Sequence, residues 1–364
     1  MKEREKLTFR IQGAVNGLQP ELNTILAEAY EQAEAKVLKF IAQATPSKVK
    51  QARILQGLQA QLEKIMSGAY AEVGQEIKTG ATDLAAASPR ITGKIYNDAL
   101  QEVDAEVYPL KIPKLSKKLI LSWWASFEVE GLYFNQWLEK LSDNSVNRIK
   151  KEMIQGKALN EDLRQIAKRM EHSLGASKNG AYGLAQNSFF SAANFGEWEM
   201  FQANKEEIKA YRFVAELDRK TTPLCRSLDG QEFTPQETPR PPLHWRCRSR
   251  IVPVWKNKGL NDIYLDDGTR PARIETGKHT VKHRDGTTST KYKNMRAKQL
   301  PNRTTWNQWM QSMVNSKNPA DVNFAKEALG PKRFSLVKSG KLRVDQLTYA
   351  GKLRTIKDLE RLYR

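Results

Sequence analysis

The feature that most constrains the fold is a change in hydrophobic period near residue 205. Before it, apolar residues recur three or four positions apart, which indicates amphipathic helices. After it, Tyr211, Phe213, Ala215 and Leu217 alternate with smaller or more polar neighbours, which indicates a strand. We therefore predict an α+β fold that is mainly α, with an N-terminal helical bundle, a small β-rich Cys/His module and a basic mixed tail.

Local breaks divide the chain further. A helix is expected over residues 1–44, and a second helix carries a heptad-like apolar stripe from Leu55 to Val73. The small residues of 80–89 predict a linker. The expected regions are an N-terminal helical region (1–143), a second helical part (144–205), the β-rich Cys/His module (206–256) and a basic C-terminal region with a hairpin and terminal helices (257–364).

Residues 118–141 form the most aromatic segment of the sequence. Aromatic side chains can stack on nucleic-acid bases, but here they are not interleaved with Lys or Arg. The pattern therefore favours a helix that packs in the core or against another subunit over a base-stacking surface.

The basic charge is concentrated in the C-terminal third. The net charge is +19, and residues 246–364 hold 27 Lys and Arg against 10 Asp and Glu. Such an imbalance favours a polyanionic neighbour such as DNA, although a merely lysine-rich, solvated surface is the alternative. The residues expected to contact DNA are Arg270, Arg273, Lys278, Lys282, Arg284, Lys291, Lys293, Arg296, Lys298 and Arg303.

Turn and period signals predict the structure of this basic region. Asp285-Gly286 separates two strand-like segments and predicts a β-hairpin. Helices are expected over 304–329 and 342–363.

Both cysteines and one of the four histidines lie in a single loop, from Cys225 to Cys247. His244 and Cys247 have the H-x2-C spacing of half a zinc site. The other half would be a C-x2-C pair ending at Cys225, but Thr222 stands at the first position. Cys225, His244 and Cys247 are therefore candidate ligands of a zinc site that lacks its fourth ligand.

Several alternatives remain at this point. Asp218, Asp229, water, His279 or His283 could complete a zinc site, although none of them has the right local spacing. A disulfide between the cysteines is a second alternative, in an oxidising environment. The third is a pair of buried free thiols with His244 hydrogen-bonded nearby.

The loop and the strands beside it resemble the Mu F-like phage head morphogenesis family, whose members are minor head or portal-associated proteins. The family motif runs from a strand ending in Asp to a Cys-containing turn, Leu-Asp-Gly, a short strand and Pro-Pro-x-His-x-x-Cys-Arg. The matching positions are Asp218, Arg219, Thr221, Pro223, Cys225, Leu228, Asp229, Gly230, Phe233, Pro241, Pro242, His244, Cys247 and Arg248. Thr222 departs from the motif, and the resemblance spans roughly residues 144–345.

The resemblance implies a minor capsid protein of a tailed phage. Such a protein would associate with the portal vertex during capsid assembly, with portal protein and major capsid or scaffolding protein as partners. It would be present in several copies inside the head, after synthesis in the host cytoplasm, and would contact packaged double-stranded DNA non-specifically. Asp218, Asp229 and Gly230 would then be structural turn residues.

Two other functions are weighed against this one. The first is a stand-alone nucleic-acid-binding protein with the basic tail as its binding surface. The second is a zinc-dependent nuclease that uses the Cys/His loop, but the sequence shows no HExxH motif, P-loop or Gly-rich phosphate loop. We therefore do not expect an enzyme. No run of apolar residues is long enough for a membrane span.

Overall fold

The computed structural model describes residues 2–42, 48–103, 109–159, 161–261, 269–282 and 288–362, and the structural statements below concern these residues. In chain order the helices and strands are α1 (Lys2–Ala42), α2 (Lys48–Val103), α3 (Lys117–Ser126), β1 (Glu128–Val129), β2 (Leu132–Tyr133), α4 (Phe134–Ala158), α5 (Leu163–Ala203), β3 (Ile208–Val214), α6 (Pro223–Leu228), β4 (Glu232–Phe233), β5 (Arg250–Trp255), α7 (Lys258–Asn261), β6 (Thr269–Lys282), β7 (Thr288–Pro301), α8 (Trp306–Val314), α9 (Pro319–Leu329), α10 (Pro331–Lys338), β8 (Thr348–Tyr349), β9 (Lys352–Leu353) and α11 (Ile356–Arg361). The predicted α+β, mainly α fold is confirmed. None of the described helices is both long and apolar enough to cross a membrane.

Helices α1, α2, α4 and α5 pack against one another as the predicted N-terminal bundle. The apolar stripe of α2 faces its interior, where Leu62 is 1% exposed and Val73 is fully buried. Full burial of one such side chain stabilises a fold by about 1.5–3 kcal/mol. The stripe is therefore what fixes α2 against its neighbours.

One hydrophobic core runs through the whole bundle, from Leu22 in α1 to Ala193 in α5. The boundary expected at residue 143 lies inside α4. Residues 1–143 and 144–205 therefore share a core and do not form separate packing units.

The linker predicted at residues 80–89 is wrong, because this segment continues α2 without interruption. Its small residues serve close packing against α5. A Cβ atom added at Gly80 would lie 2.6 Å from Cζ of Phe189. Conversely, a Cβ added at Gly196 in α5 would lie 2.7 Å from the carbonyl oxygen of Ala85. Small side chains at these positions allow the two helices to approach closely.

The aromatic segment 118–141 is not one helix but α3, a tight β1–β2 turn and the start of α4. The turn takes left-handed backbone at Glu130 (φ +52) and Gly131 (φ +78). Trp123, Phe127 and Trp137 are buried in the bundle core. The expected core role of these aromatics is confirmed.

The β-rich module follows α5 directly. Its three antiparallel strands lie in the order β4-β3-β5, so β3 is central. Helix α6 and the connection from β4 to β5 carry the cysteines. Phe213, Ala215, Cys225 and Cys247 form a small buried cluster at this point.

The predicted C-terminal hairpin is present and longer than expected, since β6 and β7 pair from Thr269↔Pro301 to Lys282↔Thr288. Its predicted turn, Asp285-Gly286, lies outside the described residues. The base of the hairpin is anchored to the β module, because the Arg273 N–H donates to the carbonyl oxygen of Leu217 at 2.8 Å. A second core, which includes Leu217, Ile274 and Trp306, joins the hairpin base to the C-terminal helices.

The helix predicted over 342–363 is wrong for most of its length. The segment contains a 3-10 turn at Val344–Leu347, the β8–β9 pair and the short helix α11. Ala350 (φ +46) and Gly351 (φ +74) adopt left-handed backbone between the two strands, which is the conformation of a two-residue hairpin turn. In contrast, helix is found in 304–329, as α8 and α9.

Candidate functional site

The first half of the Cys/His loop is built by a helix start. Thr222 is the N-cap of α6, and its hydroxyl accepts a hydrogen bond from the Cys225 N–H at 3.4 Å. Pro223 follows at the first helical position, where its missing N–H costs nothing. This cap places Cys225 on the buried side of α6, with 1% exposure.

The second half is a turn from His244 to Cys247 that α5 holds in place. Asn187 of α5 is fully buried and bonds to the turn twice. Its Oδ1 accepts from the Arg246 N–H at 2.6 Å, and its Nδ2 donates to the His244 carbonyl oxygen at 3.2 Å. Arg246 takes left-handed backbone (φ +61), and the Cys247 N–H closes the turn on the His244 carbonyl oxygen at 3.1 Å.

These two halves bring the three predicted ligands together. Cys225 Sγ lies 3.1 Å from His244 Nε2 and 3.9 Å from Cys247 Sγ. All three ligand atoms lie within 4.8 Å of one another. Both thiols are free, so the disulfide alternative is not the state of this structure.

The other candidates for a fourth ligand are placed elsewhere. Among the described residues, the ligand group contains neither Asp218 nor Asp229. His279 lies on the hairpin, with its Nδ1 3.3 Å from the Gly277 carbonyl oxygen, and His283 lies outside the described residues. The Thr222 hydroxyl serves as a helix cap instead.

The two thiols differ in acidity. The pKa of the Cys247 thiol is lowered by the hydrogen bond between Cys247 and Cys225 and, to a smaller extent, by His244. The hydrogen bond with Cys247, and then burial, raise the pKa of the Cys225 thiol. Burial lowers the pKa of His244, but its hydrogen bond with Cys247 and the charge of that residue outweigh burial, so the pKa is raised overall.

This donor set fits a metal ion. Thiolate and imidazole are ligands that zinc prefers, and in catalytic zinc sites two cysteines and one histidine leave the fourth tetrahedral position to water or substrate. Cys225, His244 and Cys247 would hold such an ion without any contribution from Thr222.

Two buried ion pairs frame the Cys/His group. Asp218, which is 6% exposed, accepts from Arg248 Nη1 at 2.6 Å and from the Thr221 N–H at 2.9 Å. Burial raises the pKa of Asp218, but the hydrogen bond and charge of Arg248 and the hydrogen bonds from Thr221 together outweigh burial, so the pKa is lowered overall. The backbone of Asp218 is also engaged, because its carbonyl oxygen accepts from Trp306 Nε1 at 2.7 Å.

Asp229 occupies the second pair and joins three parts of the chain. Its carboxylate accepts from the Ala215 N–H at 2.8 Å, from the Trp306 N–H at 2.7 Å and from Arg270 Nη1 at 3.2 Å. Gly230 follows with φ +83, and a Cβ at this position would lie 2.6 Å from Cγ2 of Thr305 at the start of α8. Glycine is thus required both for the turn and for the close approach of α8.

The residues expected to contact DNA differ in their exposure to solvent. Arg270 is buried and paired with Asp229, so it is a structural residue, and we correct that expectation. Arg273, Lys298 and Arg303 are exposed. Arg296 is half exposed and pairs with Asp321. Arg284, and the side chains of Lys278, Lys282, Lys291 and Lys293, lie outside the described residues.

Sequence reasoning missed several of the residues that hold the site. Asn187 gave no distinct signal, because its neighbours Gln186 and Ser188 are also polar. Arg226 gave none, although its guanidinium carbon lies 3.8 Å from the centroid of the Trp306 ring. Burial of this guanidinium lowers the pKa of Arg226 to about 10. Such contacts join segments far apart in sequence, so no local pattern predicts them.

Comparison with known families gives one match. Residues 147–252 match the family described as Phage Mu protein F like protein. No curated protein and no solved structure matches the chain. The match starts close to the expected residue 144 but ends at 252, so it does not include the resemblance drawn for residues 253–345. It covers α5, β3, β4, the whole Cys/His loop and the first half of β5. The resemblance to the family is confirmed for residues 147–252, which are the Mu F-like segment of this chain.

Proposed function

We propose that this chain is a minor capsid protein that associates with the portal vertex inside the head of a tailed phage during assembly. The observation that carries the proposal is the family match over residues 147–252. Portal protein and major capsid or scaffolding protein would be its partners, with several copies in each particle. Its role is structural and not enzymatic.

In this proposal the basic hairpin β6–β7 contacts packaged DNA without reading its sequence. Arg273 and Lys298 are exposed on adjacent strands near the hairpin base. Neutralisation of phosphates by such side chains releases counterions and needs no base contact. The charge of residues 246–364 supports the same role, since it accounts for most of the net +19.

The DNA contact can be tested by its salt dependence. The double variant Arg273→Gln/Lys298→Gln removes two exposed charges from the hairpin. The control Arg164→Gln/Lys168→Gln removes two exposed charges from α5. If both hairpin residues contact phosphates, the slope of log K against log salt for duplex DNA should fall by about 1.8 in the first variant only. An equal fall in both variants would contradict a specific role of the hairpin.

The Cys/His group would further stabilise the β module in this function, with zinc as its cofactor. Bound zinc would fix Cys225, His244 and Cys247 to one another, and this is a structural contribution. Metal content of the purified protein, measured by mass spectrometry, tests the cofactor directly. The variant Cys225→Ser/Cys247→Ser should contain no zinc and should enter particles poorly. Metal-dependent DNA cleavage that is lost in His244→Ala would instead support the nuclease alternative.

The decisive experiment is co-expression of the protein with the portal and capsid proteins of its own phage. Particles assembled with and without portal would be purified, and the protein in each quantified by mass spectrometry. Low-copy recovery that depends on the portal is the expected result. Equal recovery without portal would reject the portal association, and absence from particles would reject the head-protein role.

A further inference from the structure

A cavity of about 460 Å³ lies between the helical bundle and the turn that carries His244. Its walls come from α2, α4 and α5, from the β1–β2 turn, and from Trp245 and Arg246. Trp245 packs on Trp137 with ring centroids 4.2 Å apart. The cavity is distinct from the metal ligand group, since none of Cys225, His244 and Cys247 lines it.

The floor of the cavity is polar. Ser145, Ser177 and Tyr70 line it with hydroxyl groups. Ser145 Oγ lies 2.7 Å from Ser177 Oγ and 3.0 Å from the Tyr70 hydroxyl. Tyr30 extends this network, with its hydroxyl 2.8 Å from Ser177 Oγ. Ser145 Oγ also donates to the Leu141 carbonyl oxygen at 2.9 Å, so Tyr70 and Ser177 are the hydroxyls of this floor whose protons can turn toward a negatively charged guest.

Two guanidinium groups line the same cavity. Within the described part of the chain, neither Arg148 nor Arg246 forms an ion pair with a carboxylate. Arg246 Nη2 instead donates to the neutral carbonyl oxygen and side-chain oxygen of Asn179, at 2.7 and 2.6 Å. The Nε of Arg246 is buried without a hydrogen-bond partner.

The neighbouring arginines of the β module behave differently. Arg248 pairs with Asp218, Arg250 with Glu197, and Arg270 with Asp229. Burial lowers the pKa of Arg246. A partly buried cation without an anion is costly, and an anionic ligand would relieve that cost.

Backbone strain concentrates at this cavity. Glu130 (φ +52) and Arg246 (φ +61) are non-glycine residues in left-handed backbone, and both line it. Such conformations are costly and often occur at ligand sites. Glu130 is the one carboxylate among the lining residues, and its Oε1 accepts from the Trp245 N–H at 2.9 Å. The charges facing the cavity are therefore two positive and one negative, with the negative one already engaged.

We propose that this cavity binds a small oxyanion, a carboxylate or a phosphate group, held by Arg148 and Arg246. Guanidinium groups form paired hydrogen bonds with both kinds of oxyanion. The hydroxyl floor and the amide of Asn144 would supply further donors. The site is independent of the proposed portal association, because it rests on the geometry of the cavity alone.

The test measures anion binding by the full-length protein. Thermal unfolding at pH 7 would be followed in increasing sodium phosphate or sodium acetate, with sodium chloride at equal ionic strength as reference. A saturable rise in melting temperature with phosphate or acetate is expected. The larger rise identifies the preferred group, and either preference supports the proposal.

Variants then assign the binding to this cavity. Arg148 is exposed, so Arg148→Gln should fold, and it should bind the preferred anion about tenfold more weakly. Arg148→Lys keeps the charge without the paired donors and should be intermediate. Arg164→Gln removes the same charge from an exposed site on α5, outside the cavity, and should bind as the original protein does. The absence of saturable stabilisation, or equal binding by Arg148→Gln and Arg164→Gln, would overturn the proposal.

Discussion

Arg270 provides the sharpest test of the energetics, because its sequence and its structure suggest opposite roles. It belongs to the basic C-terminal region, yet its side chain is 8% exposed and its partner Asp229 is fully buried. Arg270 Nη1 donates to both carboxylate oxygens at 3.2 Å and to the Thr304 carbonyl oxygen at 3.1 Å. Nη2 donates to the carbonyl oxygen of Ala215. One guanidinium thus joins β6, the β module and the segment before α8.

The variant Arg270→Met keeps much of the volume of the side chain and removes all of these hydrogen bonds. The Asp229 carboxylate would then stay buried with only the Ala215 and Trp306 N–H groups as partners. Breaking a buried ion pair by removing one partner costs about 3–5 kcal/mol. For a chain of 364 residues that unfolds in one transition, this corresponds to a fall in melting temperature of about 4–7 °C.

The assay is thermal and urea unfolding followed by circular dichroism. The matched control is Arg273→Gln, three residues along the same strand but exposed, which should change the free energy of unfolding by less than about 0.5 kcal/mol. Binding to duplex DNA should show the reverse order, weaker for Arg273→Gln and unchanged for folded Arg270→Met. Equal stability of the two variants would refute the assignment of Arg270 as a structural ion-pair residue.

Four further predictions follow from the geometry. Thr222→Cys supplies the missing C-x2-C ligand and should raise zinc affinity at least about tenfold. The control is Thr222→Ser, which keeps the helix cap, and both affinities would be measured by chelator competition. Equal affinities would show that position 222 does not face the metal. Asp218 has a lowered pKa in the folded state, so its ion pair with Arg248 stabilises the fold above the ordinary pKa, and this contribution is lost as the pH falls through the folded value. The gap between the urea midpoints of the original protein and Asp218→Asn should therefore be smaller at pH 3 than at pH 7. The pKa of Tyr30 is raised to about 12, mainly by burial, so stability should fall as pH rises from 10 toward 12, and urea titrations of Tyr30→Phe should show a smaller fall. Gly196→Ala forces a Cβ against the carbonyl oxygen of Ala85 and should lower the free energy of unfolding by about 1–3 kcal/mol, and an unchanged urea midpoint would contradict this tight helix contact.

The sequence was most informative where the fold follows from periodicity. The stripe around Leu62 and Val73 predicted α2, and the alternation around Tyr211 predicted β3, because burial on one side of an element leaves a regular trace. Composition was a weaker guide. The small residues of 80–89 suggested a linker, but a helix that packs closely against a neighbour has the same composition as a flexible segment.

In the candidate site, too, local features could be predicted from the sequence and contacts between distant segments could not. Cys225, His244 and Cys247 were predicted from spacing, because the two short turns that carry them are local structures. The residues that orient those turns were not predicted. Asn187 acts from α5, and Arg270 acts from β6, each across a large separation in sequence. A single sequence contains no pattern that links such residues.

The substitution at position 222 becomes understandable once these distant contacts are known. A zinc site that alone held the module would tolerate the loss of a ligand poorly, because metal binding would then supply the folding energy. Here the same segment is fixed independently by Asp218 with Arg248, by Asp229 with Arg270, and by the two bonds of Asn187. The Thr222 hydroxyl also caps the start of α6. A metal ligand at position 222 would stand at the same helix start. The module can therefore keep the Cys/His geometry with three candidate ligands, since a bound metal ion would only add to a framework that hydrogen bonds and ion pairs already hold.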